Sequence, residues 1–124
     1  KRVIYEESNP KNNGIVCCSF TWWTMHQQEL TRPEQLIIGE LPIANLSSPL
    51  TKARVEALKR QGHDWFRELL LPDALNAINK SVIPLRHSSG RLAILDGRLR
   101  SRSWGNQFLR TLQPWVPLHR LLPS

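Results

Sequence analysis

The stretch Asp64–Leu71, DWFRELLL, decides how this chain is read. Taken as a strand it alternates sides: Trp65, Arg67, Leu69 and Leu71 share one face, and Phe66, Glu68 and Leu70 the other. Each face then holds a single charge among large apolar groups. An arginine so placed must meet an anion or carry its head out to water. Pro72–Asp73 closes the strand. Residues 78–84, with NKSVIP running into Pro84, read as a second strand at a sheet edge. The two runs predict an antiparallel pair, and with it an α+β fold: one small domain, an antiparallel sheet and a few flanking helices.

The segment before this stretch reads as a helix over 49–61. Ser48 suits the N-cap and Pro49 the first helical position. Leu50, Ala53, Ala57 and Leu58 fall at helical spacing and predict the buried stripe. Gly62 sits where a left-handed cap is expected. Further back, RVIYE (2–6) and IVCCSFTWWT (15–24) read as strands around a turn cluster, SNPKNNG, and suggest a hairpin. Residues 32–49 read as a connector holding one short strand or a turn of helix. Beyond the pair, RHSSG (86–90) reads as a loop, and RLAILDG as either a turn of helix or a short strand. Residues 103–115, opening on Ser103 as a cap, predict a helix that stops before Pro114, and the tail VPLHRLLPS is extended. The organisation expected is a single domain, 1–124: an N-terminal strand and connector segment (1–45), a central segment (46–112) and a tail (113–124).

Composition bounds the function classes. The 124 residues are 40% hydrophobic and 22% charged, a globular balance. No apolar run reaches the roughly 20 residues of a membrane span, and the start has no uninterrupted apolar region of a secretory signal. Lys1 in place of an initiator Met suggests a trimmed chain. A soluble, cytoplasmic protein is expected. The net charge is +7, and from Arg86 to Arg120 seven arginines face one acid, Asp96. That bias points to an anionic partner, with nucleic acid the usual one, or to a solvated basic surface.

Two adjacent cysteines, Cys17 and Cys18, are poorly placed to bridge and read as buried thiols in a strand. His26, His63, His87 and His119 lack metal-ligand spacing, so no metal site is expected. The sequence has no glycine-rich phosphate loop and no nucleophile elbow. Its five tryptophans fill a core or stack bases beside the arginines.

Four pieces in order, SSPLTKARVEAL, DWFRELLL, NKSVIP and RSRSWGNQFL, with SSG between the last two, resemble the chorismate lyase family. The resemblance covers about half the chain, from Leu46 to Leu109. It implies an antiparallel α+β domain that eliminates pyruvate from chorismate to leave 4-hydroxybenzoate, a ubiquinone precursor. It also implies a carbon–oxygen lyase that needs no cofactor. Carried over residue by residue, the substrate-carboxylate arginine is Arg67, which would be the catalytic residue, and Leu50, Trp65 and Trp104 wall the pocket for a small aromatic carboxylate. Three departures stand out. Trp104 is larger than the leucine the family has there and would crowd the ring pocket. The family's C-terminal glutamate has no counterpart in VPLHRLLPS, and its strand between the helix and the WxRE strand is missing.

The competing reading is a basic nucleic-acid-binding or protein-interaction module. In an extended GRLRSRSW, the side chains of Arg98, Arg100 and Arg102 would line one side as a row of guanidiniums suited to phosphates. A third reading has the apolar tail WVPLHRLLPS docking on a partner.

Overall fold

The computed structural model describes residues 3–6, 14–29, 33–86 and 90–115. DWFRELLL is not a strand. Asp64 caps a helix: its Oδ1 accepts the Arg67 amide at 3.2 Å and its carbonyl accepts the Glu68 amide at 2.9 Å. Phe66–Leu70 form one π-helical turn, closed by the Leu71 amide donating to the Phe66 carbonyl. A helix, Leu71–Ser81, follows without a break. Pro72 therefore stands inside a helical run, in the first turn of that helix. A proline lacks the N–H that would reach back four residues, and its ring crowds the carbonyl there. The wider π turn opens the backbone at that point and absorbs both defects.

The reason for a helix is the apolar period. Phe66, Leu70, Leu71, Ala74, Leu75, Ile78 and Val82 recur at 3.6-residue spacing. Leu71, Ala74, Ile78 and Val82 are buried in the core beside Ile38, Leu41, Phe108 and Leu112, with Phe66 and Leu75 packed against it. The expected second strand is the C-terminal turn of this helix and a 3-10 turn, Ile83–Leu85. No antiparallel pair exists over 64–84.

The elements in chain order are β1 (Val3–Tyr5), β2 (Ile15–Cys17), α1 (Phe20–His26), β3 (Gln35–Ile38), α2 (Pro49–Arg60), the π turn, α3 (Leu71–Ser81), the 3-10 turn, β4 (Arg91–Ile94), α4 (Arg98–Ser101) and α5 (Gly105–Thr111). The α+β class stands, but its strand pairs are parallel. β1 pairs with β2 and β3 with β4, the latter in the register Gln35↔Arg91 to Ile38↔Ile94. Hence 2–6 and 15–24 make no hairpin. IVCCSFTWWT is a strand only to Cys17, after which Ser19 accepts the Trp22 amide on its Oγ and starts α1. The connector holds its one short strand as β3, and RLAILDG resolves as strand β4. α5 is present, with Trp104 rather than Ser103 at its N-cap.

Helix α2 forms where the sequence places it, and Gly62 takes the left-handed φ of 75°. Its buried face is different. Val55 is the buried residue, while Leu50 is 71% exposed and Ala53 and Ala57 are exposed. Cys17 is exposed and Cys18 half-buried, so neither is the core thiol expected. Burial, then the neighbouring Cys17 and Glu6, push the Cys18 thiol pKa up. Residues 87–89 and the tail beyond Trp115 lie outside the described residues, and with them His87, His119 and most of the proposed docking tail.

Side-chain hydrogen bonds tie the helices to α3. The Trp23 indole donates to the Ser81 carbonyl at 2.7 Å, and the Gln27 amide donates to the Lys80 carbonyl at 2.7 Å. Both satisfy carbonyls that the end of α3 leaves open. Trp23 thus fills the core with its N–H partnered, the commoner fate of a tryptophan in a small domain.

Candidate nucleic-acid interface

The residues assigned to a carboxylate pocket do not build one. Arg67 projects from the π turn into solvent with 56% of its side chain exposed, and its Nε lies 3.7 Å from Asp64. Leu50 stands on the open side of α2. Trp65 is half-buried, with the Lys59 ammonium over its ring at 5.6 Å. Trp104 is wedged between Phe66 and Phe108, at ring separations of 5.5 and 5.7 Å, where it packs the core. An open groove of about 360 Å³ does lie between α1 and α3, but Phe20, Thr24, Met25, Asn76 and Lys80 line it, with none of the four predicted residues.

The arginine-rich region divides into two groups. Arg86 and Arg98 are consumed inside the molecule. Arg86 donates to the Thr111 and Gln113 carbonyls and to the Asn79 side chain, each at 2.8 Å, and stacks over Trp115 at 5.4 Å. It staples the end of α5 to α3. Arg98 grips Asp96 with Nε at 3.1 Å from both carboxylate oxygens and Nη2 at 2.6 Å from Oδ2. The same carboxylate accepts the Leu41 amide at 2.9 Å and the Arg98 amide at 3.0 Å. Its side chain is only 8% exposed. The Arg98 hydrogen bonds, helped by the Leu41 and Arg98 amides, hold the Asp96 carboxyl well below the usual carboxylate range despite burial acting the other way. The pair raises the Arg98 pKa in turn.

The second group is free. Arg91, Arg100, Arg102 and Arg110 are exposed, and among the described residues none of them has an ion pair. The expected extended row over 98–102 is instead a single helical turn, α4. At about 100° per residue, Arg98 and Arg100 point to different sides of it. The turn therefore turns Arg98 inward to Asp96 and sends Arg100 and Arg102 outward. α4 is held at a fixed distance from α5 by Gly105. A Cβ at that position would overlap the Leu99 carbonyl oxygen, so only glycine allows the two backbones to approach as they do.

Sequence reasoning missed Asp64, Arg86, Asp96 and Gly105. The signals were present for two of them. Asp64 stands three residues before Arg67 at the head of an apolar 3.6-period, and Asp96 is the lone acid among seven arginines. Among the described residues no cluster of His, Cys, Asp and Glu could hold a metal ion, and no helix is long and apolar enough to cross a membrane.

Fold and surface together define a class: an α+β domain whose polar chemistry is an outward electropositive turn on a tightly packed core. Residues 26–115 match the helicase C-terminal domain family, and the chain belongs to that family. It is 39% identical over 117 residues to the ATP-dependent DNA helicase YoaA of Escherichia coli (strain K12), covering 92% of this chain and 18% of that protein. It is 35% identical over 115 residues to YoaA of Haemophilus influenzae, covering 90% of this chain and 18% of that protein. To the ATP-dependent DNA helicase DinG of Photobacterium profundum it is 29% identical over 85 residues, 66% of this chain and 12% of that protein. The chain thus spans under a fifth of the length of these relatives. No solved structure matches it.

Family membership overturns the chorismate lyase resemblance. With it go the lyase activity, the chorismate, 4-hydroxybenzoate and ubiquinone assignments, and the small aromatic carboxylate as partner. The physical reason lies in DWFRELLL and NKSVIP, which the resemblance takes as two strands carrying a carboxylate clamp. Both pieces lie in one continuous helical run with its closing 3-10 turn, and the clamp is a surface arginine.

Proposed function

We propose that this chain is a DNA-contacting element of a helicase, gripping the phosphate backbone through the α4 turn with Arg100 and Arg102, supported by Arg91 and Arg110. One observation carries the reading: among the described residues these exposed arginines have no acid partner, while Arg86 and Arg98 nearby are bonded within the fold. A protein surface that keeps some guanidiniums unpaired at a net charge of +7 is built for a polyanion. Its relatives are named as DNA helicases, which supports DNA as that polyanion. A cytoplasmic location goes with this reading.

Fluorescence anisotropy with a labelled DNA oligonucleotide tests this. Binding should weaken steeply from low to physiological salt. The Arg100→Ala/Arg102→Ala double variant should bind more weakly and lose about 1 from the log–log salt slope for each contact removed. Absence of binding at low salt, or an unchanged slope in the double variant, rejects the reading.

A further inference from the structure

Helix α5 has two unlike faces. Gly105, Phe108 and Leu112 are buried at helical spacing, and Phe108 and Leu112 pack in the core. Asn106, Arg110 and Gln113 follow the same spacing on another face and are exposed. Both ends of the helix are fixed. Gly105 lets α4 close on it at Leu99, and Arg86 donates to the Thr111 and Gln113 carbonyls at 2.8 Å. The exposed face is thus presented on a rigid element, as a binding site requires. It is also poor in acids. No Asp or Glu follows Asp96 in the sequence. The two helices packed beside α5, α3 and α4, hold one acid between them, Asp73, which lies 3.7 Å from Arg54.

Asn106 opens this face. Its side-chain amide has no hydrogen-bond partner among the described residues. It stands one helical turn before Arg110, and four residues after Arg102 across the turn that the Gly105 amide closes on the Arg102 carbonyl. Side chains one turn apart have Cβ atoms about 6 Å apart, close to the step between successive phosphates of a strand. We propose that Asn106 is a DNA-backbone contact: its side-chain N–H donates to a phosphate oxygen of a strand that runs along α5 between Arg102 and Arg110. An uncharged donor fixes where a phosphate sits without adding to the electrostatic attraction. The inference rests on DNA contact at the α4 turn, and its test separates the two.

The test is fluorescence anisotropy at several salt concentrations with labelled homopolymers of dA and of dT. Counterion release counts charges, so a neutral contact adds affinity without adding slope. Asn106→Ala should bind both homopolymers roughly fivefold or more weakly, with the log–log salt slope unchanged. Asn106→Gln keeps the amide and should recover most of that loss. Asn106→Asp sets a carboxylate among the phosphates and should bind more weakly than the alanine variant. The side chain is exposed and unbonded, so Asn106→Ala should melt as the wild type does. If the wild type binds with a steep salt slope and Asn106→Ala binds equally tightly, the inference is overturned and DNA contact at the arginines stands. A loss confined to one homopolymer also overturns it, since the amide would then be reading a base edge. If the wild type binds neither homopolymer at low salt, both readings fall together.

Discussion

Arg98 and Arg100 are two residues apart, on one helical turn, and have opposite fates. Arg98 closes a five-bond arrangement around a nearly buried carboxylate, whereas Arg100 is exposed and has no ion pair among the described residues. The difference shows that a run of basic residues is not one feature. Part of the charge is internal mortar, and only the remainder is available to a partner. Arg86 belongs with Arg98, and Arg102 with Arg100.

The strongest way to break this division is to move the turn itself. Gly105→Ala pushes a methyl group into the Leu99 carbonyl and must separate α4 from α5. Both partners are backbone, with no flexible side-chain end to yield, so the cost should be about 3 kcal/mol or more. Thermal unfolding should show a Tm lower by roughly 10 °C. A Tm within a degree of wild type would mean that the close approach of α4 and α5 does not hold the arginine turn.

Next in size is the loss of the acceptor. Asp96→Asn leaves Arg98 facing a neutral group and weakens the bond to the Leu41 amide, which ties the residues after β3 to those after β4. The expected cost is about 2–3 kcal/mol, below that of a fully buried pair because Arg98 keeps 37% of its side chain exposed. The sign of the pH dependence follows from the lowered pKa. The folded protein holds the Asp96 carboxylate charged more strongly than the unfolded chain does. That contribution is complete at neutral pH and is lost as pH falls below the ordinary carboxylate range, about 4. Urea midpoints should therefore converge for wild type and Asp96→Asn on acidification; parallel curves down to low pH would assign the stability elsewhere.

How much of this was legible in the sequence depends on which interaction decided each element. Helix α2 and the left-handed Gly62 were readable because local signals, a proline at the start and a glycine at the end, fix them without neighbours. Its buried face was not, because periodicity marks an apolar stripe but says nothing of which side the core lies on. Leu50 meets the stripe rule and still faces solvent. In DWFRELLL, eight residues with apolar groups on both sides fit either period. Pro72 then tipped the reading to a strand end, when a π turn had in fact made room for it. Extending the count from Phe66 to Val82 would have favoured the helix, since no strand alternation survives that length. The division of the arginines was beyond sequence reasoning. It depends on Leu41 and Thr111, distant in the chain, arriving beside Asp96 and Arg86.

Lysine substitution sharpens the contrast within each group. A guanidinium that donates in several fixed directions cannot be replaced by an ammonium, a point charge on a flexible stem. Arg86→Lys forfeits at least two of its three hydrogen bonds to Asn79, Thr111 and Gln113, and Arg98→Lys forfeits the two-pronged grip on Asp96. Each should cost about 1–2 kcal/mol in chemical denaturation. These variants should retain most of their DNA affinity.

The smallest effect is expected from the same change at the free positions, and its smallness is informative. Arg100→Lys/Arg102→Lys keeps the charge of residues that make no ion pair among the described residues, so stability should stay within about 0.5 kcal/mol of wild type. A phosphate backbone is read largely as a line of charge, and an ammonium neutralises a phosphate much as a guanidinium does. Affinity for DNA should fall no more than a few-fold, with the salt slope preserved, where the alanine pair loses both. If lysine instead proves as damaging as alanine while stability holds, the arginines do more than neutralise charge. The partner would then be one that demands the planar fork, such as a base edge or a bidentate phosphate, and the contact would carry sequence or structure selectivity.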